Sequence, residues 1–332
     1  MTTLTIGGAQ VNFREKIIED LELLRKKEQQ ERNVFKVRAY DKVIKELRSF
    51  TKPIHIIEDI EEIPGIGDRI RAKIQEIIST GELAAAEAVK NDSGINATDL
   101  IMKIHGIGAV KGSDLIKNHN IRSIAGLREA VEKDPKLLNS KQKIGLKYFE
   151  DIQERIPRTE MLLHEKRILK IVSDIDSKFE AIIVGSFRRE APTSGDIDVL
   201  IGYPEEIKDT DAEKRFTEIV TALETDGYVS DILAKGPKKC MAISRLTNGK
   251  ARRLDLLLTP PEEFPYALLY FTGSDKFNIQ VRKKAIDIGY SLSEHGLKTH
   301  GKVAPKKPLI KMKTEKDILD FLEVPFISPK ER

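Results

Sequence analysis

Apolar and polar positions along the chain follow two different periods. Over residues 14–32 the apolar side chains Ile17, Leu21 and Leu24 recur at helical spacing in a segment dense in Glu and Lys, and VFKVRAYDKVIKELRSF continues as a second helix. Short helical patterns extend through residues 121–149. At Ile156-Pro157 the pattern breaks, because proline disfavours helix in the residue before it. Beyond that point the spacing predicts a helix over 160–173, strands over 181–184 and 197–201, a helix over 212–224, and strands near 228–234, 239–246 and 252–258. LYFTGSDKFNIQVRKKAIDIGYSLSEHGL predicts a turn, a helix and a strand, followed by a Lys- and Pro-rich loop (302–311) and a helix over 315–322. The fold class is therefore α+β and multidomain: an all-α front followed by a sheet-bearing region and a small α+β end.

Two segments inside the helical part repeat. EEIPGIGDRIRAKI and KIHGIGAVKGSDLI place Ile63-Pro64-Gly65-Ile66-Gly67 and Ile104-His105-Gly106-Ile107-Gly108 before an amphipathic helix, 41 residues apart (Ile63 to Ile104). This is a helix-hairpin-helix signature. Its glycines allow a tight turn, and the following helix start attracts phosphate. One Gly-Ile-Gly could be an ordinary turn; two in the same context indicate DNA binding through the backbone, independent of sequence. Lys36, Arg38 and Tyr40 cluster on the preceding helix, where a solvated face with one packed tyrosine is the plainer reading.

The stretch GSFRREAPTSGDIDVLI (185–201) carries the strongest candidate chemistry. Alternation along the strand puts Asp196 and Asp198 on one face with Ile197 behind them. Paired carboxylates repel unless a cation neutralises them, and Mg²⁺ takes one or two carboxylates together with substrate phosphates. Gly185-Ser186, Arg188 and Arg189 offer phosphate contacts. Asp255 is the only acid in ARRLDLLL (251–258). Three aspartates on adjacent strands can hold two metal ions for in-line displacement at phosphorus. The plainer alternatives are a surface Asp-x-Asp turn, a solvated arginine pair, and a salt bridge from Asp255 to Arg252 or Arg253.

Composition narrows the class. The chain has 332 residues, 40% hydrophobic and 33% charged, with a single cysteine, Cys240, which excludes an intramolecular disulfide. No apolar run is long enough to span a membrane, and MTTLTIGGAQVNF lacks the features of a signal peptide. The formal net charge of +4 divides as 0 over 1–90, +3 over 91–150, −3 over 151–262 and +4 over 263–332. Basic flanks around an acidic, cation-seeking centre suit a polyanionic substrate.

Together these stretches resemble the family X DNA polymerases of the polymerase beta type over nearly the whole chain. The resemblance rests on IPGIGDRIRAKI, the second GIG, QKIGLKYFEDIQERIPR, GSFRR, SGDIDVL, RRLDLLL, LYFTGSDKFN and EKDI. It implies a helix-hairpin-helix lyase domain (1–90), a DNA-binding subdomain with the second hairpin (91–150), a nucleotidyltransferase palm with an antiparallel or mixed sheet (151–262) and a nucleotide-selecting subdomain (263–332). Asp196, Asp198 and Asp255 match the ligands of two Mg²⁺ or Mn²⁺ ions. Ser186, Arg189 and Gly195 match triphosphate contacts, with Gly185 beside them and Arg155 as a further one. Tyr270, Phe271 and Gly273 match the segment that crowds the sugar, Asp275 and Asn278 the base contacts, and Arg282 a reader of the template minor groove. The carbonyls of Glu61, Ile63 and Ile66, and of Met102, Ile104 and Ile107, match Na⁺ or K⁺ sites. Lys73 matches a Schiff-base lysine, with Lys36, Tyr40 and Arg69 around it, although spacing alone reads it as a phosphate contact.

The implied activity is base-excision gap filling in gapped or nicked DNA with deoxynucleoside triphosphates, together with removal of a 5′-deoxyribose phosphate. The implied setting is the nucleus, with the chain acting as a monomer and repair proteins as partners. The sequence departs from polymerase beta at Ala72, Ala85, Glu61, Glu62, Phe35, Ile279 and Leu257, where lyase efficiency, gap affinity and fidelity are at stake. Phe35 could still stack on a base. A template-independent nucleotidyltransferase and a non-catalytic DNA scaffold remain as alternatives. Asn278 and Arg282 speak against the first, and the aspartate trio against the second.

Overall fold

The computed structural model describes all residues except 1–4, 7–8, 32, 91–92 and 302–303. The last two fall in the expected Lys- and Pro-rich loop, and residue 32 at the end of the first expected helix. The chain divides into two compact units, residues 1–146 and 147–332.

The first unit is helical. Arg14–Gln30 and Val34–Ser49 pack by the predicted stripe, burying Ile17, Leu21 and Leu24 against Tyr40, Val43, Ile44 and Leu47. Asp68–Thr80 adds Ile74, Ile77 and Ile78 to that core. It stops at Gly81, whose φ of +82° is the left-handed cap that glycine adopts without strain. Ser93–Met102 and Ala109–Lys117 flank the second hairpin, and Ser140–Lys147 lies against it.

The second unit is built on a five-stranded mixed sheet. Its strand order is Glu180–Ile183, Ile197–Gly202, Ala251–Thr259, Lys239–Arg245, Val229–Lys235. Ile197–Gly202 and Ala251–Thr259 run parallel; every other pairing is antiparallel. Helices Arg158–Ile175 and Asp209–Thr225 cover one face, packing on Ile197, Val199, Ile201, Leu254, Leu256 and Leu258. The residues between these point to the other face, where Leu200 and Leu257 meet a helix, Phe264–Thr272. The spacing predicted only a turn at LYFT; those residues are the end of this helix, whose apolar residues run all round it and hide its period. Asp275–Asp287, a hairpin of Tyr290–Ser293 with Gly296–Thr299, and Glu315–Phe321 complete a small second core.

Candidate active site

The sheet register fixes the centre of the site. Asp198 pairs with Asp255 across the parallel strands, on the face away from the two covering helices. Two residues further along, Leu200 and Leu257 are capped by Phe264–Thr272, so the aspartates sit where that cover ends. Asp196 lies one residue before the strand begins. Gly185, at φ +61°, opens the short helix Gly185–Arg188 directly over Asp198; a Cβ there would lie 2.5 Å from Asp198 Oδ2. No larger residue fits that close approach.

The electrostatics follow from burial. Loss of water, followed by the nearby charges of Asp196 and Asp255, pushes the Asp198 carboxyl up to about 7. Burial raises Asp255 as well, with Arg253 working against it and Asp196 adding to it. Arg253 donates to Asp196 Oδ2 and stands 3.9 Å from Asp255 Oδ2, while its Nε is buried with no acceptor among the described residues. Among those residues no three acidic, His or Cys side chains stand close enough to hold a metal ion as they are placed. A guanidinium occupies the position of positive charge. The three hard carboxylates suit a divalent cation, with Arg253 as the group that would give way.

A cleft of about 570 Å³ opens beside Asp196 and Asp198. Arg155, Gly185, Ser186, Arg189 and Gly195 line one part of it, and Tyr270, Phe271, Gly273, Asp275 and Asn278 another. Arg155 is held by Thr193, through Oγ1 at 3.1 Å and the carbonyl at 2.6 Å. Arg189 Nη1 donates to the Thr272 carbonyl at 2.6 Å, joining the two walls. Asn278 Nδ2 donates to Tyr270 O at 2.8 Å. Asp255 faces a small adjoining hollow rather than the main cleft, and Arg282 stands behind the wall, its guanidinium 4.8 Å from the Tyr270 ring centre.

Arg188 departs from expectation. Its place beside Arg189 suggests a phosphate contact, but its guanidinium turns away, donating to Thr272 Oγ1 at 2.6 Å and to Glu315 at 3.1 and 2.6 Å. Glu315 also accepts from Arg332 at 2.6 Å. Glu315, Arg332, Ser194 (whose hydroxyl accepts from Ser186 at 3.0 Å), Ser274 and Lys276 join the site although no spacing singles them out; the last two line the cleft.

In the first unit both hairpins have the expected form. Gly65 and Gly106 turn at φ +91° and +86°, and Gly67 and Gly108 precede their helices in extended conformation with open space beside them. The aliphatic stems of Lys42 and Lys141 lie over Gly65 and Gly106, a matching pair that the motif spacing did not reveal. Ile104 O already accepts the Ile107 N–H at 3.0 Å, and the Glu61 side chain pairs with Arg71 at 3.3 Å. Met102 ends its helix, Ile63 is buried, and Ile66 is partly so. Lys73, Lys36, Tyr40, Arg69 and Phe35 line a second cavity of about 510 Å³, with Ala85 as expected but without Ala72 or Arg38. Phe35 is 87% exposed. Lys73 Nζ donates to Arg69 O at 3.4 Å, and the cavity also holds the carboxylate Glu28, paired with Lys36 at 2.8 Å.

Comparison with known proteins covers the chain almost end to end. A helix-hairpin-helix domain matches residues 12–83, the fingers domain of DNA polymerase lambda 99–153, the DNA polymerase beta palm 155–261, and the DNA polymerase beta thumb 267–332. The chain belongs to the family X DNA polymerases. It is 30% identical over 334 residues to DNA polymerase lambda of Rattus norvegicus, covering 97% of this chain and 56% of that protein. It is 28% identical to DNA polymerase lambda of Arabidopsis thaliana, covering 89% and 57%. It is 29% identical to DNA nucleotidylexotransferase of Xenopus laevis, covering 86% and 62%. The chain thus spans little more than half the length of the relatives it matches. The family X palm carries the aspartates, and the thumb carries the Tyr270–Asn278 wall. Among the described residues no helix is long and apolar enough to cross a membrane.

Proposed function

We propose that the chain is a template-directed DNA polymerase that fills short gaps, and that its first unit carries a 5′-deoxyribose-phosphate lyase. The first part rests on one observation, the in-register pairing of Asp198 with Asp255 at the edge of a two-walled cleft. Asp196, Asp198 and Asp255 would hold two divalent cations, Mg²⁺ or Mn²⁺, which when bound offset triphosphate charge and activate a 3′-hydroxyl. Ser186, Arg189, Gly195 and Arg155 hold the triphosphate. Tyr270, Phe271 and Gly273 exclude a ribose hydroxyl, Asp275 and Asn278 meet the base, and Arg282 reads the template. The cation–π seat of Arg282 on Tyr270 supports templated over untemplated addition, since it ties a template contact to the sugar wall.

The hairpins grip gapped or nicked DNA through Gly65, Gly67, Gly106 and Gly108, with Na⁺ or K⁺ at the carbonyls of Glu61, Ile63 and Ile66 and of Met102, Ile104 and Ile107. The four-part division at 90, 150 and 262 belongs to this reading, as do action as a monomer, a nuclear setting and recruitment by repair proteins. Lys73 forms the Schiff base in the second cavity. The deciding experiment is extension across a one-nucleotide gap with a 5′-phosphate, in Mg²⁺, with and without a templating base. Templated single addition is expected. Equal addition without template would make the chain a template-independent transferase, and no addition would leave a DNA-binding scaffold.

A further inference from the structure

Lyase chemistry at Lys73 needs a second group. After Nζ adds to the C1′ aldehyde and water leaves, a base must take a proton from C2′; the C3′–O bond then breaks and its electron pair departs with the 5′-phosphate of the downstream strand. Nothing is oxidised or reduced, and water later frees the sugar from the lysine. Ala72, beside the nucleophile, carries no such base. Among the described residues lining the 510 Å³ cavity there is one carboxylate, Glu28, reaching in from the first helix.

We infer that Glu28 is the general base of the elimination, taking the C2′ proton from the imine formed on Lys73. The inference rests on the lyase reading of that lysine. The carboxylate is held in place: Oε1 accepts from Lys36 Nζ at 2.8 Å, Oε2 from Asn33 Nδ2 at 2.6 Å, and the side chain is only 12% exposed. Burial works to raise this carboxyl, but the hydrogen bonds from Lys36 and Asn33 outweigh it and hold it below its ordinary range. Glu28 is therefore ionised at neutral pH, with a free lone pair to receive a proton. Lys36, a cation at the same wall, would meet the sugar's 5′-phosphate, so one ion pair orients both ends of the substrate.

The test uses the full chain and DNA bearing a 5′-deoxyribose phosphate, with borohydride trapping and strand release measured in parallel. Glu28→Gln keeps the shape and is expected to trap as much adduct as wild type or more, while release falls about 10²-fold, the usual contribution of a general base. Glu28→Asp should recover part of the release. Unchanged release overturns the inference. A parallel fall of trapping and release also overturns it, since Glu28 would then only support the pocket. Absence of any wild-type adduct removes the lyase reading itself, and Glu28 with it. A thermal melt and helical circular dichroism signal equal to wild type, with gapped-DNA binding retained, establish that the first unit of Glu28→Gln is folded.

Discussion

Asp198 and Asp255 are register partners on neighbouring parallel strands, and both project to the sheet face that the two large helices leave bare. That register sets two carboxylates side by side on a buried face; burial first, then the charge of Asp196 and lastly that of Asp255, raise the Asp198 carboxyl. The arrangement is costly unless cations share it. Asp255→Ala should lower gap-filling turnover by about 10³-fold or more, the scale of several kcal/mol that metal stabilisation supplies. Affinity for gapped DNA, measured by fluorescence anisotropy, should stay within about twofold. Retention of more than a few per cent of the turnover (roughly, against that 10³-fold scale) would count against the assignment.

The hairpin glycines divide into two kinds, and the division predicts two kinds of defect. Gly65 and Gly106 need positive φ, so any side chain there strains the fold. Gly67 and Gly108 have ordinary extended backbone and nothing within 4 Å. Valine at either of these should leave the melting temperature nearly unchanged yet block close approach of a phosphate. Gly67→Val and Gly108→Val should each weaken gapped-DNA binding by comparable factors. Binding of the wild type should depend steeply on salt and little on sequence. A loss confined to one hairpin would mean that only one grips the duplex.

Much of this was legible because periods and local motifs are written in consecutive residues. The stripe Ile17, Leu21, Leu24 gave the first helix, and alternation around Asp198 and Asp255 gave two strands; both features need only neighbours in sequence. What escaped depends on distant partners. Arg188 reads as a phosphate ligand beside Arg189 until Glu315, 127 residues away, appears against it. Lys42 and Lys141 lie over hairpin glycines from other helices, and Glu28 enters the Lys73 cavity from a helix that periodicity marks only as packed. Phe264–Thr272 shows no clear period because it is apolar on nearly every side, as a helix packed against a sheet face can be.

His164 supplies a pH test independent of the aspartates. It is buried in the palm core, with Nδ1 at 2.7 Å from the Tyr228 hydroxyl and Nε2 at 3.5 Å from Glu160. Burial lowers its pKa despite Glu160, which pulls the other way; Arg252 adds to the lowering. A histidine depressed on folding gives stability that is present above its unfolded pKa near 6.5 and lost as pH falls below it. Wild type should therefore lose up to about 1.4 kcal/mol per pH unit below 6.5 from this group, until the folded value is reached. Denaturant titrations of His164→Gln, less stable overall, should show a shallower slope in that window. An identical slope would remove His164 as its source.

Arg188 and Arg189 are adjacent and should fail in opposite ways. Arg188 is 22% exposed and shares the buried carboxylate of Glu315 with Arg332, whose side chain is fully buried over Phe277. Arg189 lines the cleft and reaches Thr272 only through one hydrogen bond to a carbonyl. Arg188→Ala leaves Glu315 still paired with Arg332, so the expected cost is about 1–3 kcal/mol. Glu315→Ala leaves two arginines without their carboxylate and should cost about 3–5 kcal/mol. For a unit of this size that is roughly 2–4 °C of melting temperature per kcal/mol. Arg189→Ala should move the melt less but raise the nucleotide KM about tenfold or more, because a charge-assisted phosphate contact is lost. Thermal melts and gap-filling kinetics on the three variants separate the roles. If Arg188→Ala instead raised KM with the melt unchanged, Arg188 would return to the triphosphate and the Glu315 pairing would have no structural weight.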